Sequence, residues 1–100
     1  MKIAYLITVY YNDKKEFFEE ALNSILNQKI EKTTELRIYL GVDGLLNKNL
    51  ESFINSNKNS FYKIIRAKQN IGLAGILNLL IDKLEGEDFL FRMDADDVCI

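Results

Sequence analysis

The sequence has no histidine, no proline and a single cysteine, Cys99, in 100 residues. Without histidine, Ser-His-Asp triads, Cys-His pairs and most zinc sites are excluded at once. One cysteine excludes an internal disulfide, so nothing in the chain argues for secretion. The missing proline decides nothing by itself. An excess of charge of one sign is lacking too: 13 basic against 15 acidic residues leave a net charge of −2. That is no electrostatic footprint for nucleic acid or for an anionic membrane surface. No apolar run approaches the ~20 residues of a membrane span. Met1-Lys2 leads directly into a short apolar stretch, too short and with the wrong flanks for a signal peptide. What is present is the composition of a soluble globular domain, 48% hydrophobic and 28% charged. A chain of this length buries roughly two-thirds of its unfolded surface, enough for a core without staples. The expectation is one domain over residues 1–100, α/β in class and cytoplasmic.

Apolar periodicity divides the chain into strands and helices. Ile3 to Val9 is a continuous apolar run rich in β-branched and aromatic residues, the pattern of a strand covered on both faces. Asp13 followed by Glu16 has the spacing of a capping box, and Phe17, Phe18, Ala21, Leu22, Ile25 and Leu26 then recur at helical spacing until about Gln28. Leu36 to Leu40 reads as a second strand, stopped by Gly41-Val42-Asp43-Gly44. Leu46, Leu50, Phe53 and Ile54 fit a short helix, and Phe61 to Ile65 a third strand. A helix carrying Leu73, Ile76, Leu77, Leu80, Ile81 and Leu84 follows, with Gly86 where a C-terminal cap glycine belongs. Phe89-Leu90-Phe91 and Met93 form a fourth strand ending at Asp94-Ala95-Asp96-Asp97. Alternation of this kind implies a Rossmann-like, mostly parallel sheet with flanking helices.

The polar residues outside the core fall at the carboxyl ends of these strands. Tyr11-Asn12 follows the first, Asp43-Gly44 the second, Lys68 and Asn70 the third, and Asp94, Asp96 and Asp97 the fourth. In open α/β sheets that edge carries the ligand crevice, where strand order reverses. With the order 3-2-1-4, the reversal brings the Tyr11-Asn12 turn to face the aspartate cluster. Three aspartates in four residues concentrate like charge, which a divalent cation relieves; oxygen-only ligands suit Mg²⁺ or Mn²⁺. Aspartate-rich turns also cap helices, and Asp43-Gly44 is by itself an ordinary turn sequence. An EF-hand is excluded, because its fifth loop position would be Val98.

Taken together, these residues resemble the N-terminal half of a GT-A-fold glycosyltransferase of the large inverting family that builds bacterial surface polysaccharides. The resemblance covers all 100 residues and rests on five ordered matches: Tyr11-Asn12, Ser24-Ile25-Leu26-Asn27-Gln28, Asp43-Gly44, Asn70-Ile71-Gly72-Leu73-Ala74 with Asn78 beyond it, and Asp94 to Asp97 as the DXD element. Two features depart from the family pattern. Val9-Tyr10 stands where a proline often precedes the Tyr-Asn turn, and Val42 replaces the first aspartate of a common Asp-Asp-Gly-Ser, which bears on the base that is read.

The resemblance implies binding of a nucleotide-diphosphate sugar, a UDP-sugar, and transfer of the sugar to an acceptor hydroxyl with inversion. It implies a site built from Thr8, Tyr11, Asn12, Asp43, Lys68, Asn70, Asn78 and Asp94. Asp43 would accept a hydrogen bond from the nucleobase with Tyr11 packed nearby, Lys68 would approach a phosphate, and Asp94 and Asp96 would hold Mn²⁺ or Mg²⁺. The acceptor site and the general base are expected beyond Ile100. The chain is thus expected to be a partial domain, inactive alone, of a parent enzyme that is cytoplasmic or at the inner face of the membrane. Phe89 to Met93 would then be left as an exposed edge, and a homodimer through this strand or the sheet face is expected. Two rival readings differ in their marks. A nucleotidyltransferase would want a glycine-rich basic loop where Tyr10-Tyr11-Asn12-Asp13 stands. A non-enzymatic nucleotide- or phosphate-binding signalling domain would pair acidic residues after its first strand.

Overall fold

The computed structural model describes residues 1–94. Four parallel strands form one sheet in the order expected, with β1 (Lys2–Tyr10) and β2 (Glu35–Asp43) inside and β3 (Lys63–Ala67) and β4 (Phe89–Asp94) outermost among the described residues. Between them run α1 (Lys15–Leu26), α2 (Lys48–Ser56), a short 3₁₀ turn at Lys58–Ser60 and α3 (Gly72–Asp82). Parallel neighbours need such crossovers, and the helices cover the two faces of the sheet. On one face Tyr5, Ile7 and Val9 of β1 pack with Phe18, Leu22 and Ile25 of α1 and Leu50 and Ile54 of α2. On the other, Ala4 and Leu6 meet Tyr39 of β2 and Leu80 of α3. No described helix is long and apolar enough to cross a membrane.

Several boundaries differ from the sequence reading, each for a packing reason. β2 does not stop at Gly41 but continues to Asp43. A Cβ on Gly41 would lie 2.8 Å from Ile76 Cγ1 and 3.1 Å from Leu80 Cδ1. The glycine is where α3 presses onto the sheet, so it belongs inside the strand. The capping box at Asp13 does not form: the N-cap is Lys14, with no side-chain cap, and Asp13 Oδ2 instead accepts the N–H of Tyr10 at 2.9 Å. Phe61 leaves the third strand because it is buried beside Phe18, ring centroids 6.4 Å apart, so β3 begins at Lys63. α3 ends at Asp82 with Lys83 as its C-cap, so Gly86 is not the cap glycine. Leu84 is drawn instead onto the Ala4–Leu6 cluster, and Gly86 (φ +79°) lies in the connection to β4. α2 has its own N-cap, Asn47, whose side chain accepts from Leu50 N–H at 3.0 Å.

Candidate functional site at the carboxyl edge of the sheet

Strand pairing sets which side chains share a face. Thr8 pairs with Gly41 and Asp94, and Tyr10 with Asp43, so these residues share the α3 face at the carboxyl end of the sheet. There α3 begins, and its first turns with the strand ends enclose a cleft of about 410 Å³. Its walls are Thr8, Val9 and Tyr10 of β1, Asp13 beyond it, Asp43 of β2, and Asp94 of β4. Asn70, Gly72, Leu73 and Ile76 close it from the β3–α3 side.

Thr8, Asp43, Asn70 and Asp94, four of the residues expected from the sequence, therefore meet at one opening. Tyr11 and Asn12 are exposed on the adjoining turn and do not line it; Asn47 Nδ2 donates to the Tyr11 carbonyl at 2.9 Å and fixes that turn from α2. Lys68 and Asn78 are exposed and outside the cleft. Asp96 and Asp97 lie outside the described residues. Tyr10 and Asp13 are wall residues that the sequence reading missed. The signal for Tyr10 was the strand period of two, which puts it on the same face as Thr8. The Ser24-to-Gln28 element serves the scaffold, since Tyr5 Oη donates to Gln28 Oε1 at 2.8 Å.

Asp43 is held by two backbone N–H groups. Its Oδ1 accepts from Ile71 N–H at 2.7 Å and its Oδ2 from Gly72 N–H at 3.1 Å. Gly44 follows with φ +85°, in the left-handed region open to glycine. Asp94 is half-buried, with Arg92 Nη2 3.9 Å from its Oδ2. The described lining carries three aspartates and no lysine or arginine. Among the described residues no group of three or more His, Cys, Asp or Glu is placed to hold a metal ion. Asp94 alone of the expected ligand pair is described.

The opposite end of the sheet holds a second charged cluster. Arg37, buried on β2, donates to Glu35 and, at 3.0 Å, to Glu87, while its guanidinium lies 4.5 Å from the Tyr62 ring centroid. Tyr39 also donates to Glu87, and Lys63 pairs with Glu85 at 2.6 Å. Burial pushes the Glu87 carboxyl up, but hydrogen bonds from Tyr39, the Glu85 N–H and Arg37 outweigh it and hold it down to about 2. Burial and the bond to Glu87 raise the Tyr39 phenol, and the bonds to Glu35 and Glu87 raise Arg37.

Two curated relatives, both uncharacterised glycosyltransferases of Haemophilus influenzae, match this chain. One is 29% identical over 101 aligned positions, covering 100% of this chain and 36% of the relative. The other is 33% identical over 93, covering 93% of this chain and 28% of the relative. The chain thus spans about a third of the length of these relatives. Among solved structures, S. aureus TarS residues 1-349 in complex with UDP-GlcNAc superposes with a TM-score of 0.79 at 22% identity, over 98% of this chain and 27% of that one. Another S. aureus TarS structure gives 0.78 at 23% identity, over 98% of this chain and 17% of that one. This likeness identifies the 3-2-1-4 sheet and its helices as the Rossmann-like part of a GT-A fold. The family model for glycosyl transferase family 2 matches residues 5–100, strand ends and cleft included, and the chain belongs to that family.

Proposed function

We propose that this chain is the donor-binding part of an inverting glycosyltransferase that moves a sugar from a nucleoside diphosphate, a UDP-sugar, to an acceptor hydroxyl in surface polysaccharide synthesis. The observation that carries this reading is the meeting of Thr8, Asp43, Asn70 and Asp94 at one cleft. The family match and the UDP-GlcNAc held by TarS support the class of donor.

The cleft's volume is in the range of small-ligand sites. Leu73 and Ile76 give it an apolar wall for a flat base or a sugar face. The Thr8 hydroxyl and the Asn70 amide supply donors and acceptors that orient the ligand. A diphosphate brings negative charge to three aspartates, so the ligand has to enter with a compensating cation. Asp94, and Asp96 two residues further along the chain, would hold Mn²⁺ or Mg²⁺. Such an ion, when bound, supplies Lewis-acid stabilisation of the charge on the departing diphosphate. In the transfer the acceptor oxygen bonds to the anomeric carbon as the bond to the diphosphate oxygen breaks, and the acceptor's proton passes to a base within hydrogen-bond reach. No described residue is assigned to that base.

The homodimer expected from the sequence is proposed through β4, outermost with β3 among the described residues, where Phe89, Leu90 and Phe91 are exposed. Sedimentation at micromolar concentration checks it, and a monomer throughout that range removes the proposal.

Calorimetric titration of UDP in the presence of Mn²⁺ tests the donor reading. Wild type is expected to bind, Asp94→Asn to lose metal-dependent binding, and Glu51→Gln to bind as wild type does. Glu51 pairs with Arg66 on the surface at 2.8 Å, away from the cleft. Equal binding by wild type and Asp94→Asn would remove the metal assignment.

A further inference from the structure

The turn between β1 and α1 gives the cleft two wall residues, Tyr10 and Asp13, and leaves Tyr11 and Asn12 between them exposed. It closes on itself: Asp13 N–H donates to the Tyr10 carbonyl at 3.1 Å, and Asp13 Oδ2 accepts the Tyr10 N–H at 2.9 Å. Solvent-facing side chains give such a turn little packing to hold it against the sheet. Asn47 ties it from outside. Its Nδ2 donates to the Tyr11 carbonyl at 2.9 Å, while its Oδ1 accepts the Leu50 N–H at 3.0 Å as the N-cap of α2. The two bonds fix which way the amide points, because reversed it would set a nitrogen against an N–H and an oxygen against a carbonyl. α2 is a firm support for that tie, since Leu50, Phe53 and Ile54 are buried and the Phe53 ring packs 5.2 Å from that of Phe18. An N-cap needs only an acceptor, which serine or aspartate also provides; the second bond uses the N–H that asparagine adds.

We propose that Asn47 is a positioning residue of the cleft: by binding the Tyr11 carbonyl it holds the β1–α1 turn to α2, sets Tyr10 and Asp13 in the wall, and so governs donor affinity from outside the lining. The inference rests on the donor-binding reading and adds to it a residue that acts through the backbone of another segment. Asn47 is not among the residues that line the cleft, and the carbonyl it binds lies 36 residues earlier in the chain.

Two variants separate this role from helix capping. Asn47→Ser keeps a capping oxygen, adds no charge, and is too short to bring a donor to the Tyr11 carbonyl; Asn47→Ala removes both bonds. Calorimetric titration of UDP with Mn²⁺ should show both variants weakened by the same factor, about fivefold. Amide exchange at Asp13, whose N–H closes the turn, should quicken about fivefold or more in both. At Leu50, whose N–H bonds the cap, it should quicken in Asn47→Ala alone. The β1 amides of Leu6 and Ile7 should exchange as in wild type. Wild-type affinity in Asn47→Ser beside weakened binding in Asn47→Ala would overturn the proposal in favour of a cap that serves only the scaffold. Wild-type exchange at Asp13 in Asn47→Ser would overturn it as well, whatever the affinity. A wild-type chain that binds no UDP would overturn the donor reading, and the exchange at Asp13 would then decide by itself whether Asn47 holds the turn.

Discussion

At the amino-terminal end of the sheet, Glu35, Glu85 and Glu87 converge on Arg37, with Lys63, Tyr39 and Tyr62 filling the remaining contacts. At the carboxyl-terminal end, Asp13, Asp43 and Asp94 line a cleft whose described walls include no lysine or arginine. Both ends gather three carboxylates; at the cleft Arg92 stands 3.9 Å from Asp94, while at the first end the cations bond to them closely. There the acidic groups are partners of a buried arginine, and removing one leaves its counterpart desolvated and underpaired. At the cleft, backbone N–H groups hold Asp13 and Asp43 in place, and acidity still faces the space where a ligand enters. The first arrangement stabilises the scaffold. The second suits recognition of a ligand that brings positive charge with it.

The sharpest break in this comparison should come from Glu87→Gln. The Glu87 side chain is fully enclosed between Arg37 and Tyr39. Its neutralisation should cost about 2–3 kcal/mol in urea unfolding, less than for an isolated buried pair because Glu35 and Glu85 remain near Arg37. UDP affinity should stay unchanged, since the cleft is at the other end. A loss of affinity as large as the loss of stability would mean that the two ends are not separable.

Acid should expose the same cluster in the wild-type chain. The folded-state value of Glu87, about 2, lies below its ordinary value of 4.5. Its contribution is therefore complete above the ordinary value and is lost as pH falls from about 4.5 towards about 2. Glu85, lowered first by its bond to Lys63 and then by that to Tyr62, acts in the same direction. The melting midpoint should fall through this window, and Glu87→Gln should flatten the fall. An equally steep profile in the variant would move the acid sensitivity elsewhere.

The smallest effect is expected at the cleft end. Asp94→Asn should leave the urea midpoint within about 1 kcal/mol of wild type, while metal-dependent nucleotide binding is lost. A destabilisation as large as that of Glu87→Gln would make Asp94 a scaffold group and erase the contrast between the two ends.

Much of this was legible in residue order. The apolar run from Ile3 to Val9 announced a strand covered on both faces, and the strand–helix alternation led to a mostly parallel sheet. Strand ends carrying Thr8, Asp43, Asn70 and Asp94 pointed to the edge where the cleft lies. The amino-terminal cluster was not legible. Arg37 and Glu87 are 50 residues apart, and nothing local distinguishes them from other surface charges. Asp13 misled for the opposite reason, because its local spacing fits a cap while its carboxylate turns back to Tyr10.

Periodicity and turn chemistry are local, so the sequence by itself determined the element types, the parallel character of the sheet and the edge that bears the polar residues. What each polar residue does there depends on which distant backbone or side chain reaches it, and that only the tertiary structure decided. Gly41 looked like the end of a strand until α3 was seen pressing against it. Asp43 looked like half of a turn until Ile71 and Gly72 arrived at its two oxygens. Hydrogen bonds and close approaches between residues tens of positions apart exist only once the chain has been brought together, and they are what assign these residues their roles.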